Sequence, residues 1–253
     1  MKYSKILFDL DGTLTESGPG ITHAVQYALH QMGIEEPNRS QLECFVGPPL
    51  NVSFREYYGM NEQQSAEAIH HFREVYDREM IYENEVYPGV PKLLKTLHEQ
   101  GVHLAIASSK PENMVHKVLE YFGLKSFFDV IVGSSISEEL DNKMGTDNKL
   151  LMVQKALREL GVLQSAEGVP IMDCAMVGDR SFDIKGARAN HVTAVGVTYG
   201  YGSRQELEEA GAEYIADDVR QLQEILCGSN LCGSNLCESN LCESNPYESG
   251  AEG

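Results

Sequence analysis

Apolar residues gather in short runs along the chain, at 4–10 (SKILFDL), 102–108 (VHLAIAS), 129–132 (DVIV), 171–177 (IMDCAMV) and 192–197 (VTAVGV). Near-continuous runs of this length predict strands buried on both faces, as parallel strands are. Between them lie helical patterns near 89–100, 111–122, 147–160 and 182–190. Strands alternating with helices of roughly ten to fifteen residues predict βαβ units. Their right-handed crossovers give a doubly wound α/β fold around a parallel sheet, with ligands at the carboxyl ends of the strands.

Residues 15–85 break that rhythm. They are mostly polar-helical, with helices predicted near 20–32, 50–58 and 62–81 and no convincing buried strand. A block of this kind after the first strand predicts an inserted helical domain. Pro88-Gly89 marks the return, because Pro and Gly punctuate helix starts and turns. The expected division is a core of residues 1–14 and 86–226, a helical cap at 15–85, and a tail at 227–253.

The tail has a composition of its own. It repeats with a period of five, CGSNL, CGSNL, CESNL, CESNP, and contains no Lys or Arg. The expectation is a low-complexity, disordered extension. Its Ser-Asn-Leu-Cys frame also resembles a pentapeptide-repeat solenoid, but so few repeats bury little core. The Cys spacing matches no common zinc pattern. No function is assigned to it. Four of the six cysteines lie there, and only Cys44 and Cys174 remain in the body, so a disulfide scaffold is excluded.

Length and charge narrow the function. A chain of 253 residues with 42% hydrophobic positions has enough apolar side chain for a sizeable core. A formal net charge of −18 leaves no basic footprint for a nucleic-acid backbone, though a small anion needs only local cations and backbone N–H groups. No stretch approaches the ~20 apolar residues of a membrane span, and the apolar run after Met1 is cut by Asp9, unlike a signal peptide. A cytoplasmic protein without a membrane partner is expected.

Three strand ends carry candidate chemistry. The first ends in Asp9-Leu10-Asp11-Gly12-Thr13, where strand alternation would point both acids the same way unless the chain is already turning. Gly12 permits a tight turn and lets backbone N–H groups approach an anion. The run at 171–177 ends in Gly178-Asp179-Arg180-Ser181-Phe182-Asp183. Side by side in a parallel sheet, these ends gather up to four carboxylates in one crevice. Two unit charges ~4 Å apart repel by roughly 4 kcal/mol at an effective dielectric of 20. Either some acids stay protonated or a cation sits among them, and a hard, oxygen-coordinated ion such as Mg²⁺ suits the site. The run at 102–108 ends at Ser108-Ser109-Lys110, and Pro111 opens the next helix. A hydroxyl beside a helix N-terminus suits a phosphoryl oxygen.

DLDGT, the Ser after the second strand, a following Lys, and GDRSFD together resemble the haloacid dehalogenase superfamily of phosphotransferases. YPGVPKLL, IASSK, MVGDRSFDIKGA and VTYGYGSRQEL resemble its phosphoglycolate-phosphatase-like branch, over roughly residues 3–226. The resemblance implies a Rossmann-like core with a mobile helical cap, hinged near 14–19 and 82–88. VGPPL at 46–50 resembles the cap loop that reaches the active site.

The resemblance also implies roles. Asp9 attacks phosphorus and becomes an aspartyl-phosphate. Asp11 protonates the leaving oxygen and then activates water. Mg²⁺ is held by Asp9, the backbone carbonyl of Asp11 and Asp179, with Asp183 orienting its waters or binding as an outer carboxylate. Ser108, with Ser109 and Gly12 beside it, binds phosphoryl oxygens. A Lys neutralises the nucleophile and the transferring group. Lys143 and Lys149 are the candidates, and Lys149 is favoured because it directly precedes the apolar helix LLMVQKAL.

Asp11 points to phosphate monoesters, whose alkoxide leaving group needs a proton. No Lys occurs in 15–85, which argues against Schiff-base phosphonate chemistry. The expected activity is a Mg²⁺-dependent phosphatase acting on a small monoester: phosphoglycolate, a nucleoside monophosphate or a sugar phosphate. The rivals are a sugar phosphomutase and a non-catalytic scaffold that keeps the fold. Elsewhere, His70 and His71 read as a surface pair, Tyr57 and Tyr58 as cap packing beside Phe54, and Arg55 as a surface charge. Gly186 and Ala187 read as room for close helix–sheet approach.

Overall fold

The computed structural model describes residues 2–135, 148–162 and 171–228. Its main sheet has six parallel strands: β1 (Lys5–Phe8), β4 (His103–Pro111), β5 (Val130–Ser134), β6 (Ile171–Gly178), β7 (Val192–Val197) and β8 (Tyr214–Ala216). They lie in the order β5-β4-β1-β6-β7-β8, so β1 is central and the chain winds first to one side of it and then to the other. That reversal at β1 opens a crevice beyond the strand ends.

Alternation along each strand sorts side chains to two covered faces. Ile6, Phe8, Leu104, Ile106, Ala175 and Val177 share one core with α4 (Val90–Glu99), α5 (Glu112–Tyr121) and α9 (Val219–Cys227). Leu7, Ala105, Ala107, Cys174, Met176 and Ala194 share the other with α6 (Asn148–Glu159), α7 (Ser181–Ala189) and α8 (Arg204–Ala210). With both faces buried, the strands read as continuous apolar runs. Burying one large side chain such as Leu7 or Phe8 contributes ~1.5–3 kcal/mol.

Between β1 and β4 the chain forms a helical insert. It contains α1 (Gly18–Gln31), a 3₁₀ turn at Arg39–Phe45, α2 (Leu50–Tyr58), α3 (Glu62–Tyr76) and a second 3₁₀ turn at Met80–Tyr82. Asn61 and Gln64 close a reciprocal capping box at the start of α3. The helix stops at Tyr76, short of the expected residue 81. Its buried face runs Ser65, Ala68, Ile69, Phe72, Tyr76, and the polar Asp77-Arg78-Glu79 that follows has no apolar side chain to extend it. The insert's two ends pair as a short antiparallel ribbon, β2 (Thr15–Glu16) with β3 (Glu85–Val86).

Other boundaries shift slightly. The first strand ends at Phe8 rather than 10, and Pro111 both closes β4 and stands as the N-cap of α5. Cys227, expected to begin the tail, is the buried last residue of α9. The repeats beyond Gly228 lie outside the described residues, as does Lys143.

Candidate active site

The register of the three central strands brings the candidate residues together. Phe8 pairs with Ile106 on one side and Val177 on the other, so the residues that follow each strand emerge side by side. Asp9 still donates its N–H to the Val177 carbonyl at 2.9 Å. The chain then turns: Gly12 takes φ +77°, and its N–H bonds the Thr15 carbonyl at 2.8 Å. Because the strand ends at Phe8, alternation does not carry through to Asp11, and the two acids face different partners.

Asp9 joins Asp179 and Asp183. One carboxylate oxygen from each lies within 4.8 Å of the others, and all three residues are buried. Lys149, the second residue of α6, places Nζ 2.8 Å from Asp9 Oδ1, 2.8 Å from Asp183 Oδ1 and 3.1 Å from the Ala107 carbonyl. Asp179 is oriented by Thr13, whose Oγ1 donates to Oδ1 at 3.3 Å, and by the Tyr201 N–H, which donates to Oδ2 at 2.8 Å. Asp183 Oδ2 accepts the Arg180 N–H at 3.0 Å.

Three buried carboxylates against one ammonium leave uncompensated negative charge. Burial, with the charge of Asp183 further raising it, lifts Asp9 to about 6 despite Lys149. Burial and the same neighbouring acids hold Asp179 well above the ordinary carboxylate range. Burial would lower Lys149, but Asp183 and Asp9 together outweigh it and hold its proton more firmly than usual. An all-oxygen donor set with this charge deficit fits a hard divalent cation such as Mg²⁺.

Asp11 stands apart from that cluster. Its carboxylate accepts from Lys110 Nζ at 3.0 and 3.2 Å, and the same ammonium donates to the Tyr76 hydroxyl at 2.6 Å. The expected gathering of four carboxylates is thus three plus one. Ser108 is buried at the end of β4, where its Oγ accepts the Lys110 N–H at 3.3 Å. Ser109 is half-buried, and its carbonyl accepts from Ser134 Oγ at 2.8 Å.

A pocket opens over Asp11, Ser109 and Lys110 against the insert. Its apolar wall includes Ile21, Phe45, Pro49, Leu50, Phe72 and Met114, and Arg73 and Asp77 add charged groups from the insert. Gly47 and Pro48 line it too, so the VGPPL loop borders this pocket. Arg180 spans core and insert, donating from Nη1 to the Val46 carbonyl at 2.8 Å and from Nε to Glu206 at 3.1 Å. Tyr201 Oη accepts the Gly18 N–H at 2.7 Å, a second link.

Sequence reasoning passed over Lys110, Tyr76, Thr13 and Tyr201 as site residues. Lys110 did carry a signal, a cation at a strand end directly after two serines. Gly186 makes room for Lys149 and α6 rather than for the sheet: a Cβ there would lie 3.1 Å from Lys149 Cγ. His71 pairs with Glu74 on the surface at 3.0 Å, as expected. Phe45 packs edge-on against Phe54, with ring centroids 4.9 Å apart, and Tyr57 and Tyr58 flank it.

The family pattern described as haloacid dehalogenase-like hydrolase matches residues 6–197. A 5'-nucleotidase of Pseudomonas aeruginosa is 37% identical over 226 residues, covering 89% of this chain and 96% of its own. A tyrosine-protein kinase, PtkA of Mycobacterium tuberculosis, is 33% identical over 87% of this chain and 72% of its own. A phosphoglycolate phosphatase of Pseudomonas fluorescens is 30% identical over 86% and 77%. Among solved structures, a predicted phosphatase from Clostridium acetobutylicum superposes with a TM-score of 0.81 at 41% identity, over 90% of this chain and 99% of that one. Sheet order, strand-end acids and these likenesses agree, and the chain belongs to the haloacid dehalogenase-like hydrolases, as a phosphoric monoester hydrolase.

Proposed function

We propose that the chain is a Mg²⁺-dependent phosphatase that hydrolyses a small phosphate monoester through an aspartyl-phosphate on Asp9. The observation that carries this reading is the separation of the two acids at the end of β1. Asp9 lies against Lys149 among the clustered acids, and Asp11 lies against Lys110 beside the pocket. A nucleophile and a proton-transfer group need those two settings.

In the first half-reaction an Asp9 oxygen attacks phosphorus and the bond to the leaving oxygen breaks. Asp11 gives that oxygen its proton. In the second, water attacks the aspartyl-phosphate, Asp11 takes the water's proton, and the bond from phosphorus to Asp9 breaks to release phosphate. Lys149 offsets charge on Asp9 and on the phosphoryl oxygens, while Ser108, Ser109 and the turn at Gly12 bind those oxygens. Asp9, Asp179, Asp183 and the backbone carbonyl of Asp11 would hold Mg²⁺, which supplies charge neutralisation for the phosphoryl group.

The pocket's apolar and aromatic wall supports a leaving group with a flat apolar face. A nucleoside monophosphate meets that requirement better than phosphoglycolate or a simple sugar phosphate. A cytoplasmic setting belongs to the same proposal and is supported by free thiols at Cys44 and Cys174. Among the described residues no helix is long and apolar enough to cross a membrane.

The experiment is phosphate release from nucleoside monophosphates, phosphoglycolate and sugar phosphates, with and without Mg²⁺, for the native chain and Asp9→Asn. Release that needs both Mg²⁺ and Asp9 is expected, fastest with a nucleoside monophosphate. No release, together with phosphoryl exchange on a bisphosphosugar, would replace this reading with the mutase.

A further inference from the structure

Asp11 is held by a short chain of groups that crosses from the core to the insert. Lys110 belongs to β4, and Tyr76 is the last residue of α3. Lys110 Nζ donates to both Asp11 oxygens, at 3.0 and 3.2 Å, and to the Tyr76 hydroxyl at 2.6 Å. All three residues are more than nine-tenths buried. The Tyr76 ring stacks on Phe72 at 4.8 Å, which fixes the hydroxyl within the insert.

We infer that Tyr76 and Lys110 are positioning residues for Asp11, and that they act together only while the insert is seated on the sheet. This rests on the phosphatase reading above. Filling the same volume with apolar side chains avoids the desolvation of a buried lysine, carboxylate and phenol, so stability alone is a poor reason for the trio. Its placement is a better one, since Asp11, Lys110 and Tyr76 all line the pocket over the site. The nucleophile has a different support: among the described residues Lys149, which orients Asp9, makes its polar contacts to the core residues Asp9, Asp183 and Ala107. The core alone therefore sets the attacking group. Core and insert together set the proton-transfer group.

The test separates orientation of a proton donor from general packing. A nucleoside 5'-monophosphate leaves as an alkoxide and needs a proton. Acetyl phosphate leaves as a carboxylate and does not. The value of kcat/KM reports the first half-reaction for each. Tyr76→Phe removes only the hydroxyl, and it is expected to lower the ratio of the two kcat/KM values on the order of tenfold or more. Its Mg²⁺-induced rise in Tm is expected to match the native chain's. Lys110→Met is expected to lower the ratio further, and if that variant does not fold, Tyr76→Phe still decides. An unchanged ratio, whether both substrates slow alike or neither does, overturns the inference, and so does loss of the Mg²⁺-induced Tm rise. Hydrolysis of both substrates that is indifferent to Asp9→Asn overturns the aspartyl-phosphate reading itself, and this inference with it.

Discussion

Gly12 and Asp179 stand face to face, so close that a Cβ on Gly12 would overlap the Asp179 carboxylate. Gly12 also has φ +77°, where a side chain is strained. Gly12→Ala should therefore cost ~1–3 kcal/mol of stability and push Asp179 out of the acid cluster. Mg²⁺ affinity should fall roughly 10–100-fold. A Mg²⁺ titration of thermal stability checks this, and unaltered affinity would show that the turn has room the geometry denies.

Proton and metal should compete at the acid cluster. Burial raises Asp9 to about 6 and holds Asp179 well above its ordinary value. In the metal-free chain each acid keeps a proton in the folded state that the unfolded chain releases near pH ~4. For Asp9 that contribution to stability is full below about pH 4 and lost as pH rises through about 6, and Asp179 shifts in the same direction. Added Mg²⁺ should raise Tm more at about pH 7.5 than at about pH 5. Equal increments at the two pH values would contradict this.

Lys149→Met leaves Asp9 and Asp183 buried without their shared cation. Breaking such a pair costs ~3–5 kcal/mol. Thermal melts should show a large drop in Tm without Mg²⁺ and partial recovery with it, while phosphate release falls ~10²–10³-fold. A native Tm in the metal-free variant would mean the ammonium contributes no net stability.

Arg180 ties the strand end after Asp179 to the insert loop at Val46. Arg180→Met should leave that carbonyl without its donor and loosen the loop by ~1–3 kcal/mol. Hydrogen exchange should rise across residues 45–58 and stay native in β6. A rise spread over the whole sheet would instead indicate global destabilisation.

What could be read from the sequence follows the range of the interactions. The buried strands and the motifs at Asp9 and Asp179 were legible because parallel register alone brings strand ends together. Lys149 was legible from its place at the start of an apolar helix. The links from Lys110 to Tyr76 and from Arg180 to Val46 join residues 34 and 134 apart, through the seating of the insert on the core. No local pattern encodes that seating. The early end of β1 was hidden for a different reason: Leu10 is fully buried and extends the apolar run into what is already a turn.

The ribbon of Thr15–Glu16 with Glu85–Val86 sets the two ends of the insert beside each other. Everything from residue 17 to residue 84 leaves and returns through one narrow doorway, and none of the six sheet strands lies within it. The block is thus a cassette. One helical set can be exchanged for another without shifting the pairing of β1 with β4 and β6, but an exchange that lost Tyr76 would also take away its contact with Lys110 at the edge of the site.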